Sequence, residues 1–433
     1  LGLSSTPQRS ALGQRLAAAA PLWGLALALA AWAALPLLPL PETGWAAVFD
    51  TQDAWATRQF VLKALCYAGA MLLTVLAVAH RGQLLWVLGA LVAAGLLQAC
   101  VSVVAYAGSG RYLLWFHEFN VGSRPSGTFV NPDHLAGFLE LSLAAGIGLM
   151  LALLGPSSGR AMPWRERLAA LAAFVMSPKV LVRLSLVPLV VALVLTRSRM
   201  GNGVFFGSLL VVGALLAWRS RQWRRPALWL VGSMLVVDLV VLGQWVGLDA
   251  VVKRMQGTAE ASSSTIASFG ISGQVPPPSE ESLQQRLYAP LAALPLVAQK
   301  PVAGWGGGGF ALAFSPQKPE HVHHLWWDNA HNDYVQVAVD VGLVGLALWA
   351  SMGLCALWRL WPLLADKHPA VDRGVAVAAL MALLCLGLHS LVDFNLQIPA
   401  NALAFSVLLA WVAMVPALPP QPATAAKKRT SGA

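Results

Sequence analysis

Residues 374–417, GVAVAALMALLCLGLHSLVDFNLQIPANALAFSVLLAWVAMVPA, form two apolar runs, 374–392 and 399–417, parted by a short polar turn. Each run is close to the roughly 20 predominantly apolar residues that carry an α-helix across a bilayer. The pattern recurs at 17–39, 60–79, 84–107, 134–155, 176–196, 203–218, 226–247 and 331–357. The expected fold is therefore all-α and polytopic, with about ten to twelve transmembrane helices, because 168–196 is long enough to hold an extra interfacial helix. The run 17–39 is longer than the core of a signal peptide and lacks a clean cleavage site, so it reads as a first membrane helix.

Composition agrees with this reading. Of 433 residues, 57% are hydrophobic and 11% charged, whereas soluble domains carry about 25% charged residues. Mean hydropathy is +0.65. The four cysteines, Cys66, Cys100, Cys355 and Cys385, fall inside the apolar runs without metal or disulfide spacing, and read as small core hydrophobes.

Lys and Arg set the orientation, because they collect on the cytoplasmic side. With both termini inside, the cytoplasmic segments hold 18 of the 29 basic residues and only three acids, Glu166, Asp366 and Asp372. The pI of about 9.8 then follows from topology, and no basic stripe interleaved with aromatics points to nucleic acid. The chain divides into N-terminal transmembrane helices (1–247), a periplasmic loop with an amphipathic helix (248–330), C-terminal transmembrane helices (331–418) and a cytoplasmic tail (419–433). Within the loop, 257–281 is rich in Ser, Gly and Pro and reads as flexible. A loop this long in a compact membrane protein is more often functional than idle.

The ionisable residues expected at the outer boundary are the candidates for chemistry. Arg197 and Arg199 sit in LTRSRMGNG at the outer end of a helix, where an interfacial snorkelling arginine is the ordinary reading. Arg286 lies on the loop helix, where a solvated face is the default. His331 opens DNAHNDYVQVAVDVGLVG, and helical spacing puts Ala338, Gly342 and Gly345 on its face, small residues that let another helix approach. An imidazole facing the interior there suits general-base work; a capping role for the cluster Asp328, Asn329 and His331 is the plainer alternative. In GTFVNPDHLAGFLE, Asn131 followed by Pro132 and Asp133 reads as a helix N-cap, with Arg124 and His134 as further site members. His389 and Asp393 stand one turn apart in hydrogen-bonding geometry. Glu140, Asp238 and Asp340 are intramembrane acids, functional by default, whose partners the sequence does not identify. The spacing HVHHLWWDNAH, with His321, His323, His324, Asp328 and His331, matches neither HExxH nor a zinc ribbon, so no metal and no cofactor is expected.

Taken in order, NPDHLAG, LTRSRMG, the arginine-bearing helix leading to KPVAGWGGGGF, AHNDYVQVAVDVGLVG and HSLVDFNLQIPANA resemble the O-antigen ligase and polymerase superfamily of bacterial membrane glycosyltransferases over roughly 124–405. The resemblance implies a GT-C-like fold in the bacterial inner membrane with the active site facing the periplasm. It also implies metal-independent inverting transfer of a glycan from an undecaprenyl-pyrophosphate carrier to an acceptor hydroxyl. Carried over by motif, the catalytic histidine falls on His331 and the pyrophosphate-binding arginines on Arg199 and Arg286. Met200 stands where a small residue often follows that first arginine and Arg197 precedes it by two, so both Arg197 and Arg199 are candidates. Asn332, Asp333 and Tyr334, in the same motif as His331, are supporting residues, together with Arg124, Asn131, His134, Asp328, His389 and Asp393.

The chemistry fits these residue types. Attack of a hydroxyl on an anomeric carbon needs a base for its proton and cations for the charge on departing pyrophosphate, which fork-shaped guanidinium groups bind well. No Asp-x-Asp metal motif occurs. The expected partners are the lipid-linked donor, membrane lipid and an acceptor. The first reading of the acceptor is lipid A core, as for an O-antigen ligase. The alternatives are a growing glycan, as for a polymerase, or a protein, as for an O-oligosaccharyltransferase. A lipid or glycan transporter is the rival from another class, and its mark would be charges lining a path through the midplane.

Overall fold

The computed structural model describes residues 6–39, 44, 48–107, 112–113, 116–117, 124–153, 178–221, 223–241, 283–318 and 327–419. In chain order its helices are α1 (Thr6–Ala34), α2 (Ala54–Ala77), α3 (Arg81–Ala107), α4 (Pro132–Ala152), α5 (Pro178–Leu195), α6 (Arg199–Arg219), α7 (Arg224–Val241), α8 (Leu283–Gln299), α9 (Phe310–Phe314), α10 (Asp333–Leu363), α11 (Ala370–His389) and α12 (Pro399–Met414). A two-residue antiparallel pairing, Tyr112–Leu113 with Phe116–His117, is the one strand contact among the described residues. The chain is an all-α polytopic membrane protein. Each apolar run read from the sequence falls, where it is described, on a helix, and among the described residues eight helices are long and apolar enough to cross a membrane; α5 is apolar but shorter. The expected flexible segment 257–281, the side chain of Asp238 and residues 154–177 lie outside the described residues.

The central element is α4, buried along nearly its whole length. It packs most extensively on α11. A Cβ at Gly148 would stand 2.4 Å from the Gly374 carbonyl oxygen, and one at Gly374 equally close to that of Gly148, so the two backbones cross where neither residue has a side chain. Of the four cysteines only Cys385 is fully buried, while Cys66 and Cys100 are exposed on α2 and α3. That corrects the reading of all four as core residues: a helix facing lipid needs apolarity, not burial.

The helix ends sort into two polar layers. At one end Arg15 donates to the carbonyl of Val75 (3.0 Å), Arg81 pairs with Asp372 (2.5 Å), and Arg373 pairs with Asp366 (2.7 Å) and lies 3.8 Å over the Trp223 ring. These contacts collect the start of α1, the ends of α2, α6 and α10, and the starts of α3 and α11. The opposite layer brings together the starts of α4, α6 and α12, the end of α11, and α8.

A small second core caps this opposite layer. Tyr288, Ala289, Ala293 and Leu296 of α8 pack on Phe310 and Phe314 of α9 and on Val339 of α10. The Gly-rich turn 304–309 threads between α2 and α10: Trp305 N donates to Val339 O (2.8 Å), Gln52 N to Trp305 O (3.0 Å) and Phe310 N to Asp340 Oδ1 (3.0 Å).

One expectation is corrected here. The run 331–357 is not one straight helix, because Gly342 adopts φ 71° and breaks α10. The rings of Tyr334 and Trp349 lie 5.3 Å apart, although fifteen residues of straight helix span about 22 Å. The chain therefore folds back at Gly342, and the leg 343–363 is by itself long enough to cross a bilayer. A Cβ at Gly342 would meet the Val302 carbonyl oxygen at 2.0 Å, so the reversal needs glycine twice over, for φ and for space. With the periodicity broken there, Ala338, Gly342 and Gly345 do not share one face with His331.

Candidate functional site

The site grows from the first turn of α4. Asn131 caps the helix, its Oδ1 accepting from Asp133 N at 2.8 Å, as the N-P-D sequence predicts. The buried Asp133 carboxylate accepts from Arg124 Nη1 and Nη2 (3.3 and 3.2 Å) and from Arg286 Nη2, which α8 brings across from above. The other nitrogen of the fork, Arg286 Nη1, donates to Asp393 Oδ2 at 3.4 Å. Two carboxylates thus hold one guanidinium, and Arg286 is the link between the cap and the helical bundle.

Asp393 is wholly buried and shared. His134 Nε2 stands 3.7 Å from Oδ1, and His389 Nε2 stands 3.8 Å from Oδ2. The expected hydrogen bond between His389 and Asp393 is therefore not formed: α11 ends at His389, and its continuation as a looser turn sets the pair beyond bonding length. Burial pushes the Asp393 carboxyl up, but His134 and the charges of Arg286 and His389 outweigh it and hold the group below the usual carboxylate range.

His331 follows from the same loop. Its φ is 53°, a left-handed backbone uncommon outside glycine, and neighbours on both sides fix it. Asn332 Oδ1 caps α10 through Val335 N (3.0 Å) while its Nδ2 donates to Leu391 O (2.8 Å). Asp333 accepts from Ser390 Oγ (2.7 Å), Leu396 N (3.0 Å) and Gln397 Nε2 (3.2 Å). Tyr334 Oη donates to Gly387 O (2.7 Å). These three residues fasten the His331 loop to the segment after α11. The imidazole then stands edge-on to Phe394, ring centres 4.9 Å apart, and His134 meets the same ring at 4.6 Å. Burial lowers the pKa of His331, Asp393 raises it, and Arg286 and His134 lower it further, so the net shift is downward and the ring is neutral near pH 7. Its Nδ1 is buried without a hydrogen-bond partner among the described residues.

The arginines at the start of α6 stand differently. Arg197 has φ 51°, and both Arg197 and Arg199 have exposed side chains. Ser198 between them caps α6 at Gly201 N (3.1 Å). A Cβ on Gly201 would reach Ala136 Cβ at 2.8 Å and Glu140 Oε1 at 3.1 Å, so the first turn of α6 lies directly against α4 beside the site. Asp328 is exposed and is not drawn into the charged cluster. His321, His323 and His324 lie outside the described residues, and among the described residues no three His, Cys, Asp or Glu side chains form a metal-holding group.

Several participants have partners that no local signal in the sequence identifies. Glu140, two turns inside α4, meets His389 Nδ1 at 2.8 Å across 249 residues of chain, and both side chains are fully buried. Asp340 finds its partners in Gln336 and the backbone of Phe310. Asn401 ties His134 O (3.0 Å) to Asn395 (2.9 Å).

These features define a polytopic membrane protein with a half-open cluster of imidazole, guanidinium and carboxylate groups at one end of its helices. Residues 184–350 match the family model described as O-Antigen ligase, a likeness over that stretch to the O-antigen ligase and polymerase superfamily. The match contains Arg197, Arg199, Arg286 and His331 and points to a membrane ligase or polymerase of the glycosyltransferase kind. No curated protein matches the chain.

Proposed function

We propose that this protein is an O-antigen ligase acting at the periplasmic face of the bacterial inner membrane, with both termini in the cytoplasm. It transfers a glycan, with inversion, from undecaprenyl pyrophosphate to a hydroxyl of lipid A core. The carrying observation is the neutral, half-buried His331 with a free ring nitrogen, close enough to Arg286 for that charge to act on it. In the reaction His331 takes the proton as the acceptor oxygen bonds to the anomeric carbon. The bond from that carbon to pyrophosphate breaks, and the electron pair leaves with the lipid diphosphate. Arg286, with Arg199 at the adjoining helix start, meets the charge that develops there. The cations that this step needs are side chains, so the reading calls for no metal.

Access for the donor lipid has structural support. An apolar groove of about 410 Å³, lined among others by Leu29, Met71, Trp349, Phe405 and Leu409, runs between α1, α2, α10, α11 and α12. It reaches Tyr334 and Gln397, whose partners Gly387 and Asp333 lie in the last turn of α11 and at the start of α10, beside the site. A polyisoprenyl chain lying there would put its diphosphate at the charged layer.

Purified protein given an undecaprenyl-diphosphate glycan and lipid A core tests the reading by mass spectrometry. One glycan added to lipid A core is the expected product. A ladder of lengthened lipid-linked glycans would make it a polymerase, and no new glycosidic bond with either acceptor would remove the transferase reading.

A further inference from the structure

Arg286 meets two carboxylates, Asp133 and Asp393, and a guanidinium so neutralised is a poor anchor for a diphosphate. What offsets Asp393 on its far side is His389. That imidazole lies between two acids: Nδ1 is 2.8 Å from Glu140 Oε1 and Nε2 is 3.8 Å from Asp393 Oδ2, and all three side chains are fully buried. Burying such a carboxylate–imidazole pair costs desolvation that well-packed apolar residues would avoid, so stability alone does not explain it.

We propose that His389, carrying a proton held by Glu140, is a positioning residue for the diphosphate site. Its positive charge shares Asp393 and leaves the charge of Arg286 available to the substrate. The line Glu140, His389, Asp393, Arg286 runs from the interior of α4 to the substrate's leaving group. It lies outside the matched stretch except for Arg286. This inference rests on the donor-binding role proposed for Arg286.

The distinguishing experiment changes charge without removing Arg286. Undecaprenyl diphosphate binding is measured on the full-length protein in detergent micelles for the wild type, His389→Gln, and Asp393→Asn/His389→Gln. His389→Gln leaves Glu140 and Asp393 uncompensated and is expected to weaken binding about tenfold or more. The double variant removes the carboxylate that His389 offset, releases Arg286 from it, and is expected to recover most of the loss, to within about threefold of wild type. Unchanged binding in His389→Gln overturns the inference, as does a double variant no better than the single one, because the loss would then come from packing. Should His389→Gln not fold, His389→Lys keeps the charge without the ring; binding within about threefold of wild type is expected, and a greater loss overturns the inference. Wild-type protein that binds no undecaprenyl diphosphate overturns the donor-binding role itself, and this inference with it.

Discussion

His331 is the base proposed for the reaction, and its surroundings prepare it for that role. Burial first, then the charges of Arg286 and His134, lower its pKa below the ordinary 6.5, so the neutral, proton-accepting form persists into mildly acid solution. The acid limb of the kcat/KM profile should therefore lie below pH 6.5, with activity rising as His331 deprotonates and flat from there towards neutrality. A limb centred above 6.5 would mean that another group limits the reaction. Asp393 stays ionised throughout this range, since its shift is downward. Residues whose role is local are legible in the sequence itself: Asn131 reads as a cap because N-P-D carries three independent helix-start signals, and it is one. Glu140 is legible there only as a costly charge. Its partner lies 249 residues away, and nothing in an apolar helix says which imidazole it meets.

Among the elements, α10 shows where periodicity misleads. Hydrophobic spacing continues smoothly through DYVQVAVDVGLVGLALWA, because both legs of the bent helix have apolar surroundings. Spacing records burial and is blind to a reversal at one glycine. The signal was in the pairing of Gly342 with residues 301–304, where Leu343 N donates to Pro301 O at 2.7 Å. Gly342→Ala should accordingly cost about 1–3 kcal/mol from backbone strain alone, with more from the clash at Val302. Because α10 begins two residues after His331, thermal stability in detergent and transfer rate should fall together. An alanine variant as stable as wild type would mean that the reversal is not required.

For the molecule as a whole, the two charged layers do different work. In the layer rich in arginine, Arg81 and Asp372 form a buried, two-pronged pair at 2.5 and 2.8 Å that ties α3 to α11, with Arg81 reaching Leu418 O at 2.9 Å as well. Arg81→Met should destabilise the fold by about 3–5 kcal/mol, because Asp372 is left buried and unpaired. Adding Asp372→Leu should recover much of that loss, and thermal melts of the two variants decide the matter. The bias of Lys and Arg made the charged helix ends legible in the sequence, and among the described residues eight helices are long and apolar enough to cross a membrane. The sequence did not show that α8, far along the chain, folds down so that Arg286 bridges α4 and the loop after α11, since that bridge depends on tertiary packing alone.

The opposite layer is where the proposed reaction is placed, and the split between chemistry and binding tests that proposal most directly. His331→Ala, supplied with undecaprenyl-diphosphate glycan and lipid A core, should lose transfer while its donor affinity stays within about threefold of wild type, because the imidazole acts on the acceptor proton. Transfer at the wild-type rate in that variant would contradict the account.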